Sequence, residues 1–282
     1  MSTVSRLLRR RVDGSFAYRG FRFGAIALVV LVFLAPMLWM VMSSFKRNVD
    51  INDPGKMFEF TPIIDNYVNV FANANYGQFL FNSIWIAFWA TLLSILIGVP
   101  AAYAMSRFSM EKSATVVLLA RIIPAISLLV PWYYIFAQLG WVGSHAVQIL
   151  ANMFIVIPVC VYILMSFFDS MPLELEEAAL VDGLTHIGAF LRILLPLSVP
   201  GIATASVLSF IFVWNNFLFP LVLSSSATKT LPVAVFDFVS YAEIDWGGIM
   251  AAAVVMTLPI IVITLFAQRY IVSGLVAGAT KG

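Results

Sequence analysis

Residues 169–196 read DSMPLELEEAALVDGLTHIGAFLRILLP, the one long run in the second half of the chain that is both charged and helical in pattern. The segments on either side are too apolar to be anything but membrane spans, so the run predicts a two-helix finger standing at a membrane face. Ser170 precedes Met171-Pro172, and a proline suits a first helical turn because its missing N–H has no partner there in any case. Glu174, Glu176 and Glu177 follow, where the positive end of the helix dipole favours acids. Leu173, Glu177 and Leu180 recur at helical spacing, and Ala178 and Ala179 leave a low profile for close approach. Asp182-Gly183 is a stop signal, since glycine readily takes the left-handed conformation after a last turn. Thr185 is placed to cap a second helix, His186–Leu195, which Pro196 and Pro200 separate from the next span. A connector resting on lipid headgroups favours Lys and Arg on its polar face. This run instead carries five acids (Asp169, Glu174, Glu176, Glu177 and Asp182) against one base, Arg192. The charge predicts a finger that exposes its small and acidic residues to a protein partner.

Composition agrees with a membrane setting. Of 282 residues, 62% are hydrophobic and 11% charged, against roughly 45–50% and 25% in soluble domains. The net charge of +2 implies no nucleic-acid field. Cys160 stands alone in an apolar run, which excludes an internal disulfide framework. The chain reads as an all-α polytopic membrane protein.

Working outward, a basic N-terminal segment, 1–22, leads into an uncharged run, 23–45. That run is too long for a signal-peptide core and long enough to span. A polar loop at 46–78 predicts a small extracytoplasmic cap. Spans follow at 79–105, 114–138 and 146–168, the third interrupted by Arg121, Pro124 and Pro131. Beyond the finger, 169–196, come a fifth span at 197–223, a polar loop at 224–246, a sixth span at 247–271 and a tail, 272–282. Six spans put both termini on one side. Eleven basic residues fall on that side and four on the other, so the positive-inside rule predicts cytoplasmic termini and a cytoplasmic finger.

Glu177-Ala178-Ala179, then Asp182-Gly183, then Ile193 and Leu195-Pro196 resemble the EAA loop of permease subunits in bacterial ABC importers. That pattern is Glu-Ala-Ala, three residues, Gly, nine residues, Ile, one residue, Leu-Pro, and every position is met. The resemblance covers nearly the whole chain and is nearest to the second permease subunit of the maltose-type, carbohydrate-importing branch. Phe190, Trp214-Asn215, Arg121-x-x-Pro124 and the closing Gly-Ala-Thr-Lys-Gly also look like that branch, whereas Asn216 stands where relatives often carry an acid. The resemblance implies a type I ABC importer permease fold in the bacterial cytoplasmic membrane, with Glu177, Ala178, Ala179, Asp182, Gly183, Ile193, Leu195 and Pro196 serving ATPase coupling. It implies as partners a second homologous permease, two copies of a cytoplasmic ATPase that use ATP and Mg, an extracytoplasmic solute-binding protein, a sugar-like substrate and membrane lipid. No cofactor is expected on this chain.

No Gly-x-x-x-x-Gly-Lys-Ser/Thr loop occurs, so ATP hydrolysis by that route is excluded. His145 and His186 are too few for a metal cluster and lie in no nucleophile motif. Arg121, the one ionisable residue predicted inside a span, is costly there unless it has a partner or snorkels to the surface. Trp214, Asn215 and Asn216 fall in the fifth span, with Asn152 in the fourth and Tyr133 and Tyr134 in the third. Buried amides need partners, so these residues either bridge helices or line a polar passage suited to sugar hydroxyls. Two other readings compete: a stand-alone secondary carrier or channel for a small polar solute, and an anchor without transport. A coupled carrier usually needs intramembrane acids, and the fourteen acids all fall in loops, tails or span edges.

Overall fold

A computed structural model describes residues 16–73, 75–108, 110–239 and 244–279, which are helical almost throughout. Among them the one extended pairing is an isolated bridge between Val239 and Ile244. The long helices are α1 (Phe16–Ser43), α2 (Tyr76–Arg107), α5 (His145–Asp169) and α10 (Trp246–Ala279). Between them lie α3 (Glu111–Leu119), α4 (Ala125–Gln138), α6 (Glu174–Val181), α7 (His186–Leu197), α8 (Val199–Trp214) and α9 (Leu218–Leu223). Among the described residues four helices are long and apolar enough to cross a membrane, or up to six if each bent pair counts as one span.

The core is built on α2 and α5, the most extensive helix pair, with α8 packed on both and α10 packed on α8. Small residues bring these helices close, as they do in membrane bundles where lipid removes the hydrophobic drive between helices. Gly98 of α2 sits against Cys160 of α5, where an added Cβ would meet the cysteine Cβ at 3.1 Å. Gly201 of α8 lies under the Phe167 ring, which an added Cβ would approach to 2.6 Å. Cys160 Sγ lies 2.9 Å from Ser209 Oγ, and Trp214 Nε1 donates to the Met256 carbonyl of α10. By contrast α1 exposes apolar side chains along most of its length.

Three stretches depart from the sequence expectation. The predicted third span, 114–138, is two helices, α3 and α4, meeting at 91° across a 3₁₀ turn, Ala120–Ile122. Pro124 cannot donate to the Ala120 carbonyl and holds Ile123 extended, at ψ 116°. The predicted fifth span, 197–223, bends by 71° between α7 and α8 and stops at Trp214 before resuming as α9. There Pro220 leaves the Asn216 carbonyl without its helical donor. Pro196, expected to end the finger's second helix, is helical within α7. It follows a π-turn, Phe190–Leu194, whose shifted hydrogen bonds make the missing N–H cheap. Two ends also move: the chain is already helical at Phe16, upstream of the predicted start at 23, and still helical at Ala279, within the predicted tail.

The loop 46–66 is tied down by buried polar groups. The Lys46 ammonium donates to the Lys56 and Met57 carbonyls and lies over the Trp39 and Phe60 rings. Asn66 Nδ2 donates to the Ser44 and Lys46 carbonyls. Asp50 accepts from Arg47 at 2.9 Å and from Lys56 at 2.6 Å. Those hydrogen bonds, Arg47 first, hold its carboxyl below the usual aspartate value.

Candidate functional site

The hairpin forms as its local chemistry dictates. α6 ends in a complete glycine cap: Gly183 N donates to the Leu180 carbonyl and Leu184 N to the Ala179 carbonyl, with Gly183 at φ +87°. Thr185 Oγ1 then accepts from Gly188 N at 3.1 Å and starts α7. Glu177, Ala178, Asp182 and Pro196 are exposed, Ile193 and Leu195 half-buried, and Ala179 buried. Exposed apolar residues stand beside them on the same hairpin, including Leu173, Val181, Ile187 and Leu191.

One expectation about this hairpin is corrected. Its acids are not all displayed, because Glu176 is buried to 6% exposure. Its Oε1 accepts from the Tyr103 hydroxyl at 2.6 Å and faces His186 Nδ1 at 3.1 Å, while its Oε2 lies 3.3 Å from Arg107 Nε. The last contact is one of charge, since neither atom has hydrogen-bond geometry there. Arg107 Nη2 also donates to the Met171 carbonyl, and Ser106 Oγ to Asp169. Around these polar contacts the Tyr103 ring stacks on Phe190 with centroids 4.6 Å apart and meets Phe168 edge-on. The buried face of α6 is thus Glu176 and Ala179, spaced i and i+3. Leu173 and Glu177, which share a helical register in the sequence, both face out.

Four of the predicted passage residues line two adjoining cavities. Asn152, Asn215 and Asn216 line one of about 340 Å³ at the break between α8 and α9. Asn216 Nδ2 donates to Asn152 Oδ1 at 2.8 Å, and Asn152 Nδ2 donates to the Gln148 carbonyl. Gln148, missed in the sequence reading, is fully buried and donates from Nε2 to the Thr228 carbonyl of the following loop. Asn215 is exposed and bonds back to Ile211. Arg121 lines the neighbouring cavity, about 250 Å³, in the 3₁₀ turn between α3 and α4 rather than within a continuous helix. Its side chain is exposed and makes no hydrogen bond or ion pair with any described residue. Ala125, Ile155 and Phe212 belong to both cavities. Trp214 is buried as a helix bridge and lines neither, and Tyr133 and Tyr134 are exposed on α4 away from both.

Comparison with known proteins bears on this arrangement. Residues 94–276 match the family described as binding-protein-dependent transport system inner membrane component. A sulfoquinovosyl glycerol transport system permease of Agrobacterium fabrum is 35% identical over 287 residues, covering 100% of both chains. A trehalose transport system permease of Mycobacterium tuberculosis is 38% identical over 263 residues, covering 90% of this chain and 95% of its own. Among solved structures, a chain of a bacterial ABC transporter involved in alginate import superposes with a TM-score of 0.75 at 18% identity. That match covers 91% of this chain and 98% of the other, and it is a likeness of fold.

Proposed function

Because the chain belongs to the family of binding-protein-dependent transport system inner membrane components, we propose that it is the permease half of an ATP-driven importer for a sugar or sugar-like solute. The observation that carries this reading is the hairpin, a capped pair of helices presenting Glu177, Ala178 and Asp182 outward while its inner face is anchored on α2 and α5. A cytoplasmic ATPase takes that outer face, and a second permease subunit completes the membrane passage. A solute-binding protein delivers the solute to the loops at the opposite face. The charge asymmetry of the loops supports a bacterial cytoplasmic membrane location with both termini and the hairpin inside.

Closure of paired ATPases on ATP moves the hairpin, and the bundle switches between inward and outward access. Reversing a 1:99 population needs about 5.5 kcal/mol of differential affinity, which ATP binding must supply. The amide-lined break at Asn152, Asn215 and Asn216 offers hydroxyl-matching donors and acceptors without a fixed charge, and it suits a polyhydroxyl solute. The relatives named for trehalose and sulfoquinovosyl glycerol support the carbohydrate class.

The test is gentle detergent purification of the tagged chain from its host, with the co-purifying proteins identified. A stoichiometric ATPase and a second permease, both lost with Glu177→Lys, support the reading. A clean homo-oligomer without ATPase would sink it and leave the stand-alone carrier.

A further inference from the structure

Glu176 is the point where the hairpin meets the membrane bundle. Tyr103 and Arg107 are one turn apart at the end of α2 and so share a face, and both reach this one carboxylate, at 2.6 Å and 3.3 Å. His186, first residue of α7, closes the third side at 3.1 Å, with its ring edge-on to Phe108. The carboxylate therefore ties together the end of α2, the first turn of α6 and the start of α7, while Arg107 also holds the Met171 carbonyl where α5 runs into the hairpin. A buried pair of this kind is a poor device for stability, because desolvation offsets most of the attraction and apolar residues of equal volume would pack as well. The Tyr103 hydrogen bond onto the same carboxylate does something apolar packing cannot: it is directional and fixes one register between two elements.

We propose that Glu176 is a positioning residue for transport. It makes the hairpin and α2 a single lever, so that displacement of the hairpin reaches the bundle through α2 and its long partner α5. The proposal rests on the importer reading above and assigns to Glu176 a role distinct from that of the exposed Glu177 beside it. With the tie cut, the hairpin still meets the ATPase through its outer face but slips against α2, and the membrane passage no longer follows.

The experiment uses the purified complex in proteoliposomes. Cys160→Ser removes the native thiol, and Leu218→Cys places a reporter at the cavity beside Asn216. ATP hydrolysis and the labelling rate of the reporter by an impermeant maleimide are measured together, with and without ATP and vanadate. In the parent, ATP and vanadate change the labelling rate. Glu176→Gln keeps a carbonyl to accept from Tyr103 but loses the charge facing Arg107. It is expected to hydrolyse ATP within about twofold of the parent while its ATP-driven labelling change shrinks between about twofold and thirtyfold. Tyr103→Phe, which removes the hydrogen bond from α2 but leaves the charge pair in place, is expected to give a loss of the same kind. An unchanged labelling response in Glu176→Gln overturns the proposal. So does a Glu176→Gln chain that fails to assemble beside a Tyr103→Phe chain that behaves as the parent, because Glu176 would then be a folding element alone. A parent that yields no ATPase at all overturns the importer reading itself, and the proposal with it.

Discussion

Gly183 offers the cleanest perturbation, because nothing surrounds it. Its φ of +87° closes α6, yet an added Cβ would find no atom within 4 Å. Any cost of substitution is therefore backbone cost, free of the packing terms that blur most glycine replacements. An alanine held in the left-handed region loses about 1–2 kcal/mol, and a β-branched valine stands at the upper end of the range of about 1–3 kcal/mol for such conformations. Asparagine, which tolerates that region through local hydrogen bonding, loses less than alanine. One to two kcal/mol is a factor of roughly 5–30 in a two-state equilibrium, here between the capped and the frayed end of α6. The assay is amide hydrogen exchange on the purified chain, read at Leu184, whose N–H donates to the Ala179 carbonyl only while the cap is closed. Protection at Leu184 should fall in the order Gly183, Gly183→Asn, Gly183→Ala, Gly183→Val, with alanine lower than the parent by that factor. Equal protection in alanine and glycine, or an asparagine variant as exposed as valine, would refute the argument from φ.

Gly201→Ala drives a methyl group to within 2.6 Å of the Phe167 ring, so thermal unfolding in detergent should show a loss of about 1–3 kcal/mol. Pairing it with Phe167→Leu should restore part of that loss. Asn216→Ala leaves Asn152 Oδ1 buried without its donor, a cost of about 1–3 kcal/mol. The double variant with Asn152→Ala should melt well above the sum of the two single losses, and strict additivity would dissolve the pair. The folded pKa of Asp50 lies below its unfolded value, so the stability it contributes is present above the usual aspartate value near 3.9 and is lost as pH falls through the lower, folded one. Limited proteolysis of 46–60 should accelerate only in that acid window for the parent, whereas Asp50→Asn should be cleaved quickly already at neutral pH. Equal cleavage of the two at neutral pH would count against the tie.

How much of this was readable in the chain follows from the range of the forces involved. The cap at Asp182-Gly183 and the start at Thr185 depend on backbone bonds a few residues apart, and both lie where the sequence puts them. The buried side of α6 did not follow from local spacing. Leu173, Glu177 and Leu180 look like a face, but Tyr103 and Arg107 sit about seventy residues upstream and draw Glu176 inward instead. A lone arginine ending a span, with an acid-rich finger elsewhere, was the available signal. Proline was equally ambiguous as a break signal. Pro36, Pro100, Pro131, Pro158 and Pro259 ride inside continuous helices, while Pro124 and Pro220 accompany breaks. The difference lies in whether neighbouring elements leave room for the chain to turn, which no local pattern records.

The two breaks have a consequence for solvent. Around Arg121–Pro124 and Asn215–Phe217 the backbone leaves its helical ladder, and both places open on cavities with shared walls. Hydrocarbon cannot satisfy carbonyls and amides freed in this way, so such backbone persists at depth only against protein or a wet cavity. The freed carbonyls and amides at both breaks therefore call for protein or solvent partners, and the two joined cavities are where such partners can reach them.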